Sequence, residues 1–346
     1  MAENSKIEWC DHTFNPWEGC TKVSPGCANC YAEARNSRFG GGCAPNWGPG
    51  KPRRRTSEAN WKKPLRWDRE AANNDMSREL AGDNPHRPRV FSASLADWLD
   101  IEVPLEWRVD FLELVRTTPN LDWLLLTKRP ELWLPLIEGS IRWIEALPDW
   151  SDVGPHKYAA LRDWLGDWVL FRRAPANVWI GTTVEDQTRA DQRIPELLKI
   201  PARVRFLSCE PLLGPVNVAN WGWRNTRDSD ARIHWVICGG ESGPNARPMH
   251  PDWARSLRDQ CAAAGVPYFF KQFGEWAPGE CLTKRGTINC AWWAGDGQWA
   301  YGRQTEKESE DCHADDAPDL YYVGKHAAGR LLDGREHSDF PEVRHA

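Results

Sequence analysis

Trp123-Leu-Leu-Leu126-Thr127-Lys128-Arg129-Pro130 is an apolar run that stops abruptly at polar residues and gives way to a helix-forming segment. The arrangement recurs along the chain. Val90-Phe91-Ser92-Ala93-Ser94 leads to Asp97 and then to a helical pattern near Pro104–Thr117. Val178-Trp179-Ile180 ends in Thr182-Thr183-Val184-Glu185-Asp186, followed by a helical pattern to about Leu198. Val204–Leu207 ends in Ser208-Cys209-Glu210-Pro211. Trp235–Ile237 ends in Cys238-Gly239-Gly240-Glu241-Ser242, with a helical pattern near Pro251–Ala264, and Pro267–Phe270 ends in Lys271-Gln272. Near-continuous apolar strands separated by helical patterns predict a parallel sheet covered on both faces. Six such units, with Ile7-Glu8-Trp9 as a first strand, predict an α/β fold: a full or partial TIM-like β/α barrel with peripheral insertions. An open doubly wound sheet is the alternative. Both place a site at the C-terminal strand ends, where the polar tips fall.

Two stretches interrupt the rhythm. Residues 141–175 read as a Trp- and charge-rich insertion, and residues 279–319 as a Gly-, Trp- and acid-rich hairpin elaboration ending in an acidic loop. The domain expectation is therefore a barrel over 1–278, carrying a cysteine loop at 18–31, a basic loop at 40–70 and the insertion. Residues 279–346 form a peripheral elaboration with the acidic loop and a terminal helix. The chain has 346 residues, 41% of them hydrophobic and 27% charged, which fits a globular protein with a sizeable core. Most of the 22 tryptophans are expected in packing and some as stacking platforms. The N-terminus has no apolar signal core and no stretch approaches the ~18 apolar residues of a membrane helix, so a cytoplasmic protein without a membrane partner is expected. Eleven cysteines in such a compartment read as metal ligands or buried thiols rather than disulfides.

Upstream of the strand series lies Gly19-Cys20-Thr21-Lys22-Val23-Ser24-Pro25-Gly26-Cys27-Ala28-Asn29-Cys30-Tyr31. Cys20, Cys27 and Cys30 have the spacing C-x6-C-x2-C. Three thiolates can hold three irons of a four-iron, four-sulfide cluster and leave the fourth open to a small ligand. A structural zinc site closes its coordination with a fourth protein ligand, for which Cys10, Cys43 and His12 are candidates. Gly19, Pro25 and Gly26 permit the tight turns that a cluster loop needs. Cys209, Cys238 and Cys261 sit in apolar contexts and read as core cysteines. Cys281, Cys290 and Cys312-His313 match no trusted zinc template and read as buried or free thiols.

From Gly19–Tyr31 onward the chain resembles a phage and prophage three-Cys-motif family, the gp-thirty-seven/gp-sixty-eight type, which is grouped with radical SAM barrels. The resemblance continues through Ser94-Leu-Ala-Asp97, Leu126-Thr-Lys-Arg129, Ser208-Cys-Glu-Pro211-Leu-Leu-Gly214, Gly239-Gly-Glu241-Ser-Gly243, Lys271-Gln272 and Gly324-Lys325…Gly334-Arg335-Glu336. It implies a radical SAM-type barrel, with a 4Fe–4S cluster on Cys20, Cys27 and Cys30 and S-adenosylmethionine on the open iron. It also implies reductive cleavage to a 5′-deoxyadenosyl radical, an electron donor such as flavodoxin or ferredoxin, and host cytoplasm if the chain is phage-encoded. The common radical SAM spacing is C-x3-C-x2-C, so the six-residue first gap departs from it. Gly239-Gly240-Glu241 resembles the element that holds the methionine amino group, though on a late strand rather than the second.

The remaining candidates lie at the strand tips. Glu210, Glu241 and Lys271 are candidate catalytic groups. Gly239, Gly240, Glu241, Thr182, Thr183, Glu185 and Ser94 are candidate cofactor ligands, with capping or structural acids as the plainer alternative. Lys128, Arg129 and Lys271 suit a carboxylate or phosphate, or else a rim salt bridge.

The net charge of −5 hides an asymmetry: ten Lys/Arg against two acids over 35–69, and seven acids against one base over 306–319. Lys51, Arg53, Arg54, Arg55, Lys62 and Lys63, interleaved with Trp61 and Trp67, suit phosphate neutralisation with base stacking, or a solvated loop. The expectation is an iron–sulfur, S-adenosylmethionine-dependent radical enzyme that modifies or repairs a nucleic acid or nucleotide. The alternatives are a zinc-stabilised nucleic-acid-binding protein without catalysis, and an iron–sulfur protein that does not use S-adenosylmethionine.

Overall fold

The computed structural model describes residues 5–81, 87–148, 155–219, 231–279, 286–294, 298–305 and 319–342. In chain order it begins with β1 (His12–Thr13), β2 (Trp17–Glu18), helix α1 (Tyr31–Phe39), β3 (Arg54–Arg55), α2 (Glu58–Trp61) and α3 (Lys63–Ala81). The repeating part follows: β4 (Arg89–Ser92), α4 (Leu105–Arg116), β5 (Asp122–Thr127), α5 (Trp133–Glu145), α6 (Ala159–Leu170), β6 (Val178–Thr183), α7 (Gln187–Lys199), β7 (Val204–Cys209), β8 (Trp235–Gly239), α8 (Pro251–Ala264) and β9 (Tyr268–Gln272). Helix starts carry local signals: Asp186 caps α7 by accepting from the Arg189 amide, and α8 opens on Pro251 and closes on left-handed Gly265.

All six strand runs read from the sequence form, and they pair in parallel in one seven-stranded sheet of order β1-β4-β5-β6-β7-β8-β9. The expected full or partial TIM-like, radical SAM-type barrel is thereby corrected to a half-barrel, since no closed barrel forms. The sheet is open, curled into half the circumference of a barrel, and β1 and β9 do not pair with each other. The doubly wound alternative also fails, because the strand order never reverses. Each strand adds on the same side of its predecessor, so right-handed crossovers carry the helices to one face. There Val90, Trp123, Leu125, Ile180, Leu207 and Val236 share a core with Leu112, Ile137, Ile194 and Leu257 of the helices. The first strand is His12–Thr13 rather than Ile7–Trp9; His12 stacks on Trp67 at 4.3 Å between ring centroids.

The alternate strand residues fill the concave face. Phe91, Leu124, Trp179, Phe206, Trp235, Ile237 and Phe269 form a separate core with Trp9 and Cys10. Trp235 is its hub, with Trp9, Trp179, Phe206, Phe269 and Phe340 all within 6.4 Å. Gly181 makes room for this packing, since a Cβ there would lie 2.3 Å from the Phe206 ring. The chain end substitutes for the missing strands. Phe270 donates its amide to His337 (2.9 Å) and Asp339 donates to Tyr268 (3.3 Å), which covers the β9 edge. Phe340 then reaches across to lie under the Arg89 guanidinium, 3.9 Å from its ring centroid.

The Trp-rich insertion is mainly α6, docked on α5 through Trp168, which contacts Trp133 at 5.3 Å and donates its indole N–H to Pro201. Beyond β9, β10 (Trp276–Ala277), β11 (Ile288–Trp293), β12 (Trp299–Gln304) and β13 (Leu320–Tyr322) make a small antiparallel sheet. A short helix, Lys325–Ala328, follows. Cys281, Cys312, His313 and the acidic loop lie outside the described residues, while Cys290 is buried on β11. Among the described residues no helix is long and apolar enough to cross a membrane.

Candidate functional site

The cysteine loop lies across the C-terminal ends of the sheet, where four strand tips hold it. Its entry requires Gly19: φ is +113° and a Cβ would meet the Asn46 carbonyl at 2.4 Å. After β4, buried Asp97 accepts from the Thr127 hydroxyl (2.7 Å), the Lys128 amide (2.9 Å) and Arg129 Nη1 (2.8 Å). Arg129 in turn donates Nη2 to the Thr21 carbonyl (2.7 Å) and places both terminal nitrogens 3.7 Å from Cys20 Sγ. After β6, fully buried Glu185 accepts from the Ser24 hydroxyl and the Gly26 amide, and pairs with Arg193 of α7 at 2.7 Å. After β8, Glu241 accepts from Asn29 Nδ2 (2.9 Å) and is gripped by Arg247 at 2.6 and 2.8 Å; the third Arg247 nitrogen donates to Pro25 O (3.0 Å). Burial pushes the Glu241 carboxyl up, but the bonds from Arg247 and Asn29 outweigh it and hold it below the ordinary range.

Cys20, Cys27 and Cys30 are all free thiols. Cys20 and Cys30 pack against the same apolar patch of Ala32, Trp47 and Leu95, and Cys27 Sγ lies 3.8 Å from the Ser24 hydroxyl. Burial pushes the Cys20 thiol up to about 12, opposed by the Arg129 guanidinium. Burial also raises Cys30, opposed by the Ala32 and Glu33 amides at the start of α1 and by Lys128. The donor set fits a cluster in kind. Three soft ligands come from one short loop, and two of them face a cation or helix-start amides that favour a ligated thiolate. Among the described residues no three His, Cys, Asp or Glu side chains converge to hold a single ion. Cluster thiolates each bind a different iron and need not converge, whereas zinc ligands must. The candidate fourth zinc ligands are otherwise engaged: Cys10 against Ser5 Oγ, Cys43 with the Gly40 carbonyl, His12 on Trp67.

The other expected site residues divide between scaffold and mouth. Thr182 points into the helix-covered face and donates to Thr127 O (2.9 Å). Gly239 and Gly240 serve close packing, since Cβ atoms there would lie 2.7 Å from Glu210 Oε1 and 1.9 Å from Phe273 O. Ser94 accepts from Asn15 Nδ2 (2.9 Å), and its carbonyl accepts from the Tyr31 hydroxyl. On the concave side, Glu210 pairs with Lys271 at 3.0 Å and Lys128 Nζ lies 3.2 Å from Thr183 Oγ1. Cys209, Cys238 and Cys261 are core cysteines; burial drives Cys209 well above its ordinary value and Cys238 up to about 12.

Much of the basic segment is spent within the chain. Arg53 is corrected from a phosphate-facing to a structural role: its side chain is 0% exposed, pairs with Asp100 at 2.8 Å and donates to the Asn46, Gly48 and Lys51 carbonyls. Arg54 pairs with Glu18; Arg55 pairs with Asp110 and lies 4.0 Å over the Trp61 ring. Lys51 and Lys62 are exposed and Lys63 half-buried. Sequence reading missed Asn29, Arg193 and Arg247. Their partners are fixed by tertiary placement, and no local period marks them.

Fold and site together define an open α/β protein with a three-cysteine loop clamped over its strand tips. The chain belongs to the family described as a protein of unknown function, DUF5131, whose model matches residues 4–341. No curated protein and no solved structure matches it.

Proposed function

We propose that this protein is an iron–sulfur enzyme in which Cys20, Cys27 and Cys30 hold three irons of a 4Fe–4S cluster, as its resemblance to the phage three-Cys family implies. The observation that carries the reading is the clamp. Glu185–Arg193, Glu241–Arg247 and Asp97–Arg129 pin to the strand tips one short loop that carries three free thiols. S-adenosylmethionine is the proposed ligand of the open iron, with flavodoxin or ferredoxin as electron donor. When bound, such a cluster supplies the electron that cleaves that sulfonium. The residues described here orient the thiolates and shield them: Arg129 braces Cys20, the α1 start braces Cys30, and Trp47 and Leu95 exclude water beside both.

The proposed substrate is a nucleic acid or nucleotide, in base modification or repair in the cytoplasm. That part rests on the exposed cations Lys51, Arg54 and Lys62 and on Lys128 at the mouth, with Arg53 no longer contributing. Anaerobic purification tests the metal: the expected protein is brown, absorbs near ~410 nm, carries about four irons and loses them in Cys27→Ala. A colourless protein with one zinc per chain refutes the cluster. Release of 5′-deoxyadenosine after chemical reduction supports the S-adenosylmethionine step; a reduced, iron-replete protein that releases none refutes it.

A further inference from the structure

The mouth beside the cysteine loop holds a cation that the clamp does not use. Lys128 follows Leu124 and Leu126 in the strand alternation, so it faces the concave side, half-buried, with its Nζ 3.2 Å from Thr183 Oγ1. Among the described residues no carboxylate lies within 4.0 Å of that ammonium. Its neighbours differ: Arg129, Arg193, Arg247 and Lys271 each have an acid partner. A half-buried cation answered by a neutral hydroxyl calls for an anionic ligand.

Tyr31 supplies a second, independent observation. It is 59% exposed, yet its hydroxyl is tied to the Ser94 carbonyl, just beyond the C-terminal end of β4. The residue is therefore anchored at the strand tips by its hydroxyl while much of it stays open to solvent. An aromatic ring so placed is a stacking platform for a base.

We infer that the mouth binds a nucleoside 5′-phosphate, with the phosphate on Lys128 and Thr183 and the base against Tyr31. This rests on the nucleotide part of the proposed function and is independent of the metal. The test is calorimetric titration of the full chain with nucleoside 5′-monophosphates and with the matching nucleosides. A monophosphate is expected to bind roughly ten- to a hundredfold more tightly than its nucleoside, the range for hydrogen bonds to a charged group. Lys128→Gln is expected to abolish that preference and leave nucleoside affinity unchanged, while Lys128→Arg retains it. Tyr31→Leu is expected to weaken nucleoside and nucleotide alike, by roughly five- to a hundredfold. Equal binding of monophosphate and nucleoside by the unaltered protein overturns the inference, as does binding of neither, a preference that survives Lys128→Gln, or affinity untouched by Tyr31→Leu. Iron is assayed on the same samples. Phosphate preference in iron-free protein then supports this site while counting against the cluster, and an iron-replete protein without the preference does the reverse.

Discussion

Replacing Glu185 should loosen the cysteine loop and destabilise the fold together. Its carboxylate is 0% exposed and its partner Arg193 is 7% exposed, so the 2.7 Å pair is shielded from water. Removing one partner of a buried pair costs about 3–5 kcal/mol, because the other charge stays buried. Arg193 keeps one acceptor, the Thr183 carbonyl at 2.8 Å, which moves the expectation toward the lower end. The lost bonds from Ser24 and Gly26 add about 1 kcal/mol each. Glu185→Ala is therefore expected to lose about 5 kcal/mol and Glu185→Gln, which keeps an acceptor, roughly half of that. Urea titration at matched metal content reads the loss, and the alkylation rate of Cys27 in native buffer reads the loop. Arg193→Met in the Glu185→Leu background should recover part of the loss, since a paired replacement removes the stranded charge. Glu185→Ala within about 1 kcal/mol of the unaltered protein, with Cys27 alkylation unchanged, would refute the clamp.

Other consequences can be measured separately. Burial pushes the Asp122 carboxyl up to about 7, against the pull of Arg87, Arg89 and Arg203. The folded state then holds a proton that the unfolded chain has released, so stability is lost as pH rises from about 4 to about 7, by on the order of 4 kcal/mol; Asp122→Asn should flatten this slope in pH-dependent urea titrations. Gly181→Ala should cost about 1–3 kcal/mol by overpacking against Phe206, and Phe206→Leu should relieve it, both seen in thermal melts. Arg53→Ala should cost about 3–5 kcal/mol by stranding Asp100, which is 1% exposed, whereas Lys62→Ala should stay within about 0.5 kcal/mol; equal effects would return Arg53 to the surface.

The strands were legible because a strand buried on both faces needs a continuous apolar run, and Trp123–Leu126 or Trp235–Ile237 can be little else. Closure was not legible. Whether the ends of such a sheet meet depends on how many units exist and on what fills the gap, and here the filler is Phe340, far along the chain from Arg89 beneath which it lies. The first strand was misplaced because His12–Thr13 has only two paired residues and no apolar run. At the site, Glu185, Glu210 and Glu241 were legible as strand-tip acids, since a polar residue after an apolar strand must lie at its mouth. Their roles were not, because a clamp and a ligand use the same carboxylate. Only the placement of Arg193, Arg247 and Lys271 separates them. Arg53 illustrates the converse: a run of like charges hides the one member whose partner, Asp100, lies far away in sequence.

The way the loop is held bears on what the proposed cluster would do there. In a structural zinc module the metal supplies the folding energy, and the apo chain is unfolded. Here the ordering comes from protein bonds: Arg129 on Thr21, Glu185 on Ser24 and Gly26, Arg247 on Pro25, and Asn29 between Glu241 and the Asn245 carbonyl (2.7 Å). Each buried charge among them costs desolvation that its partner has to offset, so the arrangement serves geometry more than net stability. A loop organised in this way keeps its shape when metal leaves. With the proposed cluster in place, anaerobic chelation should therefore abolish its visible absorbance while leaving the far-ultraviolet circular dichroism and the urea midpoint close to those of the loaded protein, and reconstitution should follow without refolding. The Glu185→Gln variant should behave differently, reloading more slowly because its loop must be reordered each time. Unfolding on chelation would show that the metal, rather than the strand tips, holds residues 19–31 in place.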